Sequence, residues 1–263
     1  MERTEEEIMQ SWKGDRTLPL VSICTITYNH GKYISEALDS FLAQQTNFPF
    51  EIVVDDDCSP DDTAEVIRKY MEKYPNIISA RLRNENVGMM INGIENKQRA
   101  KGEYIALCEG DDYWTDPKKL QIQINEMKKY PNCNLSFHPV SELIDGVKGN
   151  ILSNYSEKHN IFTVPEVILG GGPFIPTPSI IIKKVAVDNI PDRFLVNAPV
   201  GDYFIQIFGS IKGGALFINK CMAIYRSNVI HLNTKITKKN KVINTHKLKQ
   251  RFPQLLFALT ISI

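Results

Sequence analysis

The fold is decided by apolar runs that end in acidic residues, and the fullest of them is YIALCEGDDYW at residues 104–114. Its first five residues predict a buried strand, because a short continuous apolar run is typical of a parallel sheet. Asp111 and Asp112 follow just beyond the end of that strand. Open α/β sheets bind ligands beyond the carboxyl ends of their strands, so we expect this acidic pair to face a ligand.

Two adjacent carboxylates suit a hard divalent cation, which prefers oxygen ligands. One carboxylate can bind the cation while the other points towards a ribose, and the cation then offsets the charge of a leaving diphosphate. The alternative is a surface turn capped by aspartate. If the Asp-Asp pair were the only acidic site, this alternative would be favoured.

Strands and helices alternate on both sides of this stretch. Further strands are predicted at Val21–Thr27, Glu51–Asp55 and Ile77–Leu82. Helical spacing of apolar residues fills the gaps between them, and one helix is predicted to start with Ser59 as its cap and Pro60 in its first turn. The alternation predicts an α/β fold that is Rossmann-like, with a mostly parallel sheet and helices on both faces.

Two more acidic sites stand at the ends of predicted elements. Asp55, Asp56 and Asp57 leave the carboxyl end of a strand, where capping and turn formation account for one acid but three favour a ligand site. Asp202 heads a helix predicted to end at Ile211, and an isolated aspartate there is most often a cap. If the sheet brings Asp202 near the other acids, it could instead take the proton of an incoming hydroxyl.

Composition describes a globular protein. The chain has 263 residues, of which 43% are hydrophobic and 23% charged, enough for one large α/β domain or two small ones. The five cysteines, without CxxC pairing, are expected to be reduced core thiols of a cytosolic protein. The polar, acidic residues 1–14 are no signal peptide, and no apolar run reaches the roughly 18 residues of a membrane span.

Basic residues are concentrated at the end of the chain. No Asp or Glu follows Asp202, and the same stretch carries ten Lys or Arg. They form either a solvated basic face or a surface for phosphates or an anionic membrane. The sequence therefore predicts a cytoplasmic protein, or one held at the inner face of the membrane by this tail. A nucleic-acid partner is not expected.

Five segments in register resemble the family 2 glycosyltransferases, which share the GT-A fold. Residues 21–29 resemble that family's first strand and loop, with Ile26 where proline is usual, and residues 56–59 resemble its Asp-Asp-Gly-Ser turn, with Cys58 in place of glycine. The other matching segments are 86–88 with 100–106, 110–112 with 116–120, and 201–203 with 223–226. The family often has histidine two residues after Arg226, where Asn228 stands here and the nearest histidine is His231.

The resemblance implies donor-binding roles for Thr27, Tyr28, Asp57, Asn86 and Asp111. Tyr28 would lie against the nucleobase, Asp57 would accept a hydrogen bond from a uracil ring, and Asp111 would contact the ribose. The expected donor is therefore a nucleotide diphosphate sugar, most simply a UDP-sugar.

The resemblance also implies that Asp112 binds Mn²⁺ or Mg²⁺ and that Asp202 is the base of a single, inverting displacement. The acceptor would be a glycan or glycolipid in bacterial polysaccharide or lipopolysaccharide synthesis. Residues 1–18 would be a polar extension, 19–138 the nucleotide-sugar-binding half, 139–232 the acceptor-binding half and 233–263 the basic tail.

Two other classes use similar sequence features. A sugar-phosphate nucleotidyltransferase also places acids around a metal, but it needs a glycine-rich basic loop after the first strand, where Tyr28-Asn29-His30-Gly31-Lys32 is poor in glycine. A non-catalytic protein descended from a transferase is the second, and the presence of all the expected acids argues against it.

Overall fold

The structure, a computed structural model, describes residues 3–191, 194 and 201–227. The strands are β1 (Val21–Thr27), β2 (Phe50–Asp56), β3 (Ile78–Leu82), β4 (Tyr104–Leu107), β5 (Tyr113–Trp114), β6 (Leu135–Phe137), β7 (Val140–Ile144), β8 (Val147–Leu152), β9 (Asn160–Phe162), β10 (Ile181–Lys183), β11 (Ala215–Phe217) and β12 (Ala223–Ser227). The helices are α1 (Glu5–Met9), α2 (Ile34–Leu42), α3 (Thr63–Lys73), α4 (Met89–Arg99), α5 (Lys119–Lys129), α6 (Val164–Gly170), α7 (Lys184–Asp188) and α8 (Gly201–Ser210).

Within these ranges, eight strands form the main sheet in the order β3-β2-β1-β4-β10-β6-β11-β9. β1 pairs in parallel with β2 and β4, β2 in parallel with β3, and β6 in parallel with β11. β10 runs antiparallel between β4 and β6, and β9 is antiparallel at the edge. The predicted mostly parallel sheet is confirmed. It includes strands on both sides of residue 139, where the acceptor-binding half was predicted to begin.

Apolar side chains pack on both faces of this sheet, because successive residues of a strand point to opposite faces. Ile23 of β1 belongs to the core shared with α2, α3 and α5, whereas its neighbour Cys24 belongs to the core shared with α6, α7 and α8. Ala106 and Leu107 of β4 divide in the same way. The predicted helices on both faces are confirmed.

A second sheet was not predicted. It has the order β5-β12-β7-β8 among the described residues. β12 pairs with β5 just after the acidic pair and with β7 on its other side. Trp114 of β5 is buried and its indole N–H donates to the Pro178 carbonyl at 3.0 Å. This small sheet therefore fixes the loop that contains the acidic pair.

The predicted start of the helix after β2 is wrong. The helix begins at Thr63 rather than next to Ser59. The Ser59 side chain is already engaged, because it donates to the Asp56 carboxylate and accepts from the Asn29 N–H at 2.9 Å. A side chain used to close the turn after β2 is not available to cap a helix.

The cysteine prediction is right for three residues. Cys24, Cys108 and Cys133 are buried thiols, whereas Cys58 is half-buried and Cys221 exposed. Burial raises the pKa of the Cys24 thiol to about 12. None of the helices in the described ranges is both long enough and apolar enough to span a membrane.

Candidate active site

The candidate site lies at the edge of the main sheet where β1, β2 and β4 end. The Thr27 carbonyl accepts a hydrogen bond from the Asp57 N–H at 3.0 Å, and the Gly110 N–H donates to the Ile26 carbonyl at 3.0 Å. Backbone hydrogen bonds thus join the loops that follow these three strands. The acids after β2 and β4 therefore follow strands that end at the same edge of the main sheet.

The turn at Gly110 is packed too closely for a side chain. A Cβ atom there would lie 2.7 Å from Oγ1 of Thr27 and 3.1 Å from Nδ1 of His30. His30 is buried, and its Nε2 lies 3.9 Å from Oδ2 of Asp111. No role was predicted for His30, although its place in the loop after β1 could have indicated one.

The three acids after β2 do different work. Asp55 is fully buried and forms ion pairs with Arg81 and Arg99, which places it in the support of the sheet edge. Asp56 accepts hydrogen bonds from the backbone N–H and the hydroxyl of Ser59, which closes the turn. The acidic run is therefore two structural residues followed by Asp57.

Asp57 contacts the loop before α4. Its carboxylate accepts hydrogen bonds from the Val87 N–H at 2.8 Å and the Gly88 N–H at 2.9 Å, and the Asn86 amide donates to its carbonyl at 3.0 Å. Asp57 and Asn86 are adjacent, and Tyr28 is half-buried in the loop after β1. In the structure Asp57 holds this loop, and its hydrogen bond to a uracil stays a prediction.

Asp112 is buried, and its two carboxylate oxygens differ in their contacts. Oδ1 accepts from the Arg226 N–H at 2.7 Å, while the buried Oδ2 has no hydrogen-bond partner among the residues that the structure describes. Burial, and next the neighbouring Asp111, raise the pKa of Asp112 well above its ordinary value. A bound cation would favour the ionised form, so Oδ2 of Asp112 fits the predicted Mn²⁺ or Mg²⁺.

The Arg226 side chain clamps the acidic turn from the second sheet. Its guanidinium donates to the Asp111 carbonyl and to the Glu36 carboxylate. It also lies between two aromatic rings, 4.9 Å from the centroid of Tyr33 and 4.8 Å from that of Tyr113. Arg226 therefore links the start of α2 to the acidic pair.

Asp202 lies at the start of α8 and is half-buried. Its Oδ2 accepts a hydrogen bond from the Thr177 hydroxyl at 2.9 Å, and its buried Oδ1 has no partner within the described ranges. Burial raises the pKa of Asp202, and the Thr177 hydrogen bond acts in the opposite direction. Asp202 and Glu109 line the same cavity of about 250 Å³. Asp202 thus shares a cavity with Glu109, which stands two residues before the acidic pair.

Glu109 and Thr177 lie in the site, but no role was predicted for either of them from the sequence. Burial, then Asp111 and Asp202, raise the pKa of Glu109 to about 8. The signal for Glu109 was its place at the end of β4, whereas Thr177 stands in a Pro-Thr-Pro loop that carries no such signal. Asn228, His231 and the basic tail at 233–263 lie outside the described residues.

No group of three or more His, Cys, Asp or Glu side chains is arranged to hold a metal ion anywhere in the described part of the chain. The predicted site residues all lie at or near the ends of strands and helices around this edge of the sheet: Thr27, Tyr28, Asp57, Asn86, Asp111, Asp112 and Asp202. Their positions follow from the fold, and their individual roles stay predictions.

Known proteins share this sequence pattern and this fold. Residues 22–189 match the sequence profile of glycosyl transferase family 2. An uncharacterised protein of Mycobacterium tuberculosis is 36% identical over 208 residues, which is 78% of this chain and 58% of the relative. The chain thus spans less than two thirds of that relative. TuaG of Bacillus subtilis, whose name assigns it provisionally to teichuronic acid biosynthesis as a glycosyltransferase, is 34% identical over 49% of this chain and 48% of its own.

Solved glycosyltransferases have a similar fold. Residues 1–349 of S. aureus TarS, in complex with UDP-GlcNAc, match with a TM-score of 0.64 and 21% identity over 79% of this chain and 58% of that one. A Pyrobaculum calidifontis mannosyltransferase, in complex with GDP-Man and Mn²⁺, matches with a TM-score of 0.57 and 16% identity over 82% of this chain and 58% of that one. These likenesses confirm the predicted GT-A-type fold.

Proposed function

Because the chain belongs to glycosyl transferase family 2, we propose that it transfers a sugar from a nucleotide diphosphate sugar to an acceptor hydroxyl. The observation that carries this proposal is the pair Asp112 and Asp202, each with a buried carboxylate oxygen that lacks a hydrogen-bond partner in the described ranges. Burying an unpaired carboxylate is costly unless a ligand compensates it. One oxygen suits a cation on a diphosphate, and the other suits the proton of an attacking hydroxyl.

The proposed donor is a UDP-sugar. Tyr28 would lie against the uracil, Asp57 would accept a hydrogen bond from its ring N–H, and Asp111 would contact the ribose. Thr27 and Asn86 complete the donor-binding set, and both contact Asp57 through hydrogen bonds. The TarS structures with UDP and UDP-GlcNAc support this choice of nucleotide.

Asp112 would hold Mn²⁺ or Mg²⁺ through Oδ2, together with the diphosphate of the donor. When bound, the cation offsets the negative charge that develops on the leaving diphosphate. The Arg226 N–H fixes Oδ1 of Asp112 and leaves Oδ2 to the cation. The Mn²⁺ complex of the mannosyltransferase supports a divalent cation in this fold.

Asp202 would be the base of a single displacement. Its Oδ1 accepts the proton of the acceptor hydroxyl while the hydroxyl oxygen bonds to the anomeric carbon and the bond to the diphosphate breaks. Attack from the side opposite the leaving group inverts the anomeric configuration. The Thr177 hydroxyl holds Oδ2 and so orients the carboxylate.

We place the reaction in bacterial cell-surface polysaccharide or lipopolysaccharide synthesis, with a glycan or glycolipid as acceptor. The name of TuaG supports this setting. Residues 19–138 would bind the nucleotide sugar and 139–232 the acceptor. The protein would work in the cytoplasm, or at the inner face of the membrane if the basic tail binds anionic lipid.

The test is release of nucleoside diphosphate from a panel of UDP-, GDP- and dTDP-sugars with Mn²⁺, Mg²⁺ or chelator. We expect UDP release from a UDP-sugar, dependent on the cation, and its loss in Asp112→Ala. Asp111→Ala should instead weaken donor binding. Full activity of Asp112→Ala in chelator would contradict the metal role. Formation of a nucleotide sugar from a sugar phosphate and a nucleoside triphosphate would identify a nucleotidyltransferase.

A further inference from the structure

The cavity beside Asp202 contains charged groups that the proposed reaction leaves unused. It lies between α4, the ends of β1 and β4, and the start of α8, and its volume is about 250 Å³. Its charged lining residues are Lys97, Glu109 and Asp202. Its apolar lining includes Met89, Met90, Ile26, Leu107 and Ile205. An amphipathic lining with a few convergent polar groups is typical of a small-molecule site.

Lys97 reaches this cavity across the bare backbone of Gly93, one turn earlier in α4. A Cβ atom at Gly93 would lie 3.2 Å from Nζ of Lys97 and 3.7 Å from Cδ1 of Ile26. Residues four apart share one face of a helix, so a side chain at position 93 would crowd the ammonium group and shift it by a few tenths of an ångström. Glycine in a helix interior costs about 1 kcal/mol relative to alanine, and the room that it leaves for Lys97 explains its use here.

The Lys97 ammonium group forms no hydrogen bond or ion pair with any residue in the described ranges, although Glu109 and Asp202 line the same cavity. Burial lowers the pKa of Lys97, while the acids Glu109 and Asp202 favour its charged form. Oδ1 of Asp202 lacks a hydrogen-bond partner in the same part of the chain. A buried acceptor without a partner is costly, and a ligand that pairs Oδ1 of Asp202 recovers this free energy. The half-buried Lys97 lines the same cavity and supplies a hydrogen-bond donor that such a ligand can engage.

We propose that Lys97 binds the sugar unit of the donor and so helps to determine which sugar is transferred. The inference rests on the proposed function, because a base at Asp202 requires the anomeric carbon, and hence the sugar ring, to lie in the cavity that Asp202 lines. An ammonium group donates three hydrogen bonds and accepts none. Lys97 therefore pairs with a sugar oxygen, such as a hydroxyl or an N-acetyl carbonyl.

The test compares binding of UDP with binding of a UDP-sugar by calorimetry, in the wild type and in Lys97→Met. The UDP-sugar is the one among UDP-glucose, UDP-galactose and UDP-GlcNAc that the wild type hydrolyses fastest. We expect the UDP-sugar to bind at least about 10-fold more weakly to Lys97→Met, as for a lost hydrogen bond to a charged group. UDP, which lacks the sugar, should bind within about 2-fold of the wild-type value.

Two further variants keep the result interpretable. Lys101→Met removes an exposed lysine just beyond α4 and outside the cavity, and it should change neither affinity. Gly93→Ala should weaken binding of the UDP-sugar selectively but less than Lys97→Met, because the new methyl group at 3.2 Å pushes the ammonium back by a few tenths of an ångström. This variant tests the proposal if Lys97→Met has a low melting temperature. Equal effects on UDP and the UDP-sugar, or no effect on either, would overturn the role of Lys97. A wild type that fails to bind UDP contradicts the proposed donor instead.

Discussion

The backbone N–H of Arg226 donates a 2.7 Å hydrogen bond to Oδ1 of Asp112, which is 114 residues away in the sequence. The guanidinium of the same residue holds the Asp111 carbonyl and the Glu36 carboxylate. One residue of the second sheet therefore sets the orientation of the proposed metal ligand and ties it to α2. Arg226 acts on the site through Asp112 and is a positioning residue.

Replacement of Arg226 by methionine should raise the Mn²⁺ concentration required for half-maximal activity by about 10-fold. Loss of the guanidinium contacts frees β12 to shift, and a charge-assisted hydrogen bond is worth roughly 1.5–3 kcal/mol. The measurement is a Mn²⁺ titration of UDP release, with metal-free UDP binding as the second readout. Glu36→Gln, which keeps a hydrogen-bond acceptor for Arg226, is the matched control and should shift the titration less. An unchanged Mn²⁺ requirement in Arg226→Met would contradict the positioning role.

Asp202→Asn should lower the transfer rate by about 10²–10⁴-fold, which is the usual contribution of a general base. The amide keeps the size of the side chain and can still accept from Thr177, but it cannot take a proton. Donor affinity and melting temperature should stay near the wild-type values, and the experiment measures all three quantities. Lower melting temperature with transfer largely kept would identify Asp202 as a helix cap and rule out the base.

Thr177→Val should move the acidic limb of the pH profile of kcat/KM to higher pH. Burial raises the pKa of Asp202 and the Thr177 hydroxyl lowers it, so loss of the hydroxyl raises it further. The base must be ionised, and activity is therefore lost as pH falls through this pKa. Thr177→Ser, which restores a hydroxyl, should return the limb towards its wild-type position. If the acidic limb does not move in Thr177→Val, the group that titrates there is not Asp202.

Lys119→Met should stabilise the protein near pH 7. Lys119 is fully buried, its Nζ has no hydrogen-bond partner within the described ranges, and burial lowers its pKa to about 7. The unfolded state binds the proton more tightly, so wild-type stability should rise between about pH 7 and pH 10, and the variant should lose this slope. Denaturant unfolding at pH 7 and pH 9.5 measures both effects.

Nζ of Lys119 lies 4.1 Å from the centroid of the Trp114 ring. This contact stabilises the charged lysine and so opposes the predicted gain in stability. If the cation–π contact outweighs the cost of burial, the methionine variant is less stable than the wild type at pH 7. Lys128→Met, the same substitution at an exposed position of the same helix, is the control for helix propensity.

The strands around the site could be predicted from sequence, whereas the second sheet could not. β1 has the predicted bounds, and β2 starts and ends within one residue of its prediction. Both strands are rich in apolar and β-branched residues and are buried on both faces. β5 has two residues, and β8 is mostly exposed, so neither shows an apolar pattern. β12 depends on partners more than eighty residues away, which no local pattern encodes.

The residue types of the site could also be predicted from the sequence, but the role of each residue could not. The run Asp55–Asp57 looks uniform in sequence, yet the fold assigns an ion-paired residue, a turn residue and a loop contact to it. Cys58 adopts a φ of 61° in the turn where the resemblance expects glycine, and the left-handed conformation explains that expectation. Lys97 was invisible because its importance depends on the space above Gly93.

The antiparallel strand β10 imposes an order on folding during synthesis. β6 has no place in the main sheet until β10 lies beside β4, and β10 is made much later than β6. The four strands β3, β2, β1 and β4 can pair as soon as residue 107 leaves the ribosome. We therefore expect the nascent chain to carry a folded amino-terminal half with an open edge at β4, which β10 closes before β6 and β11 can be added.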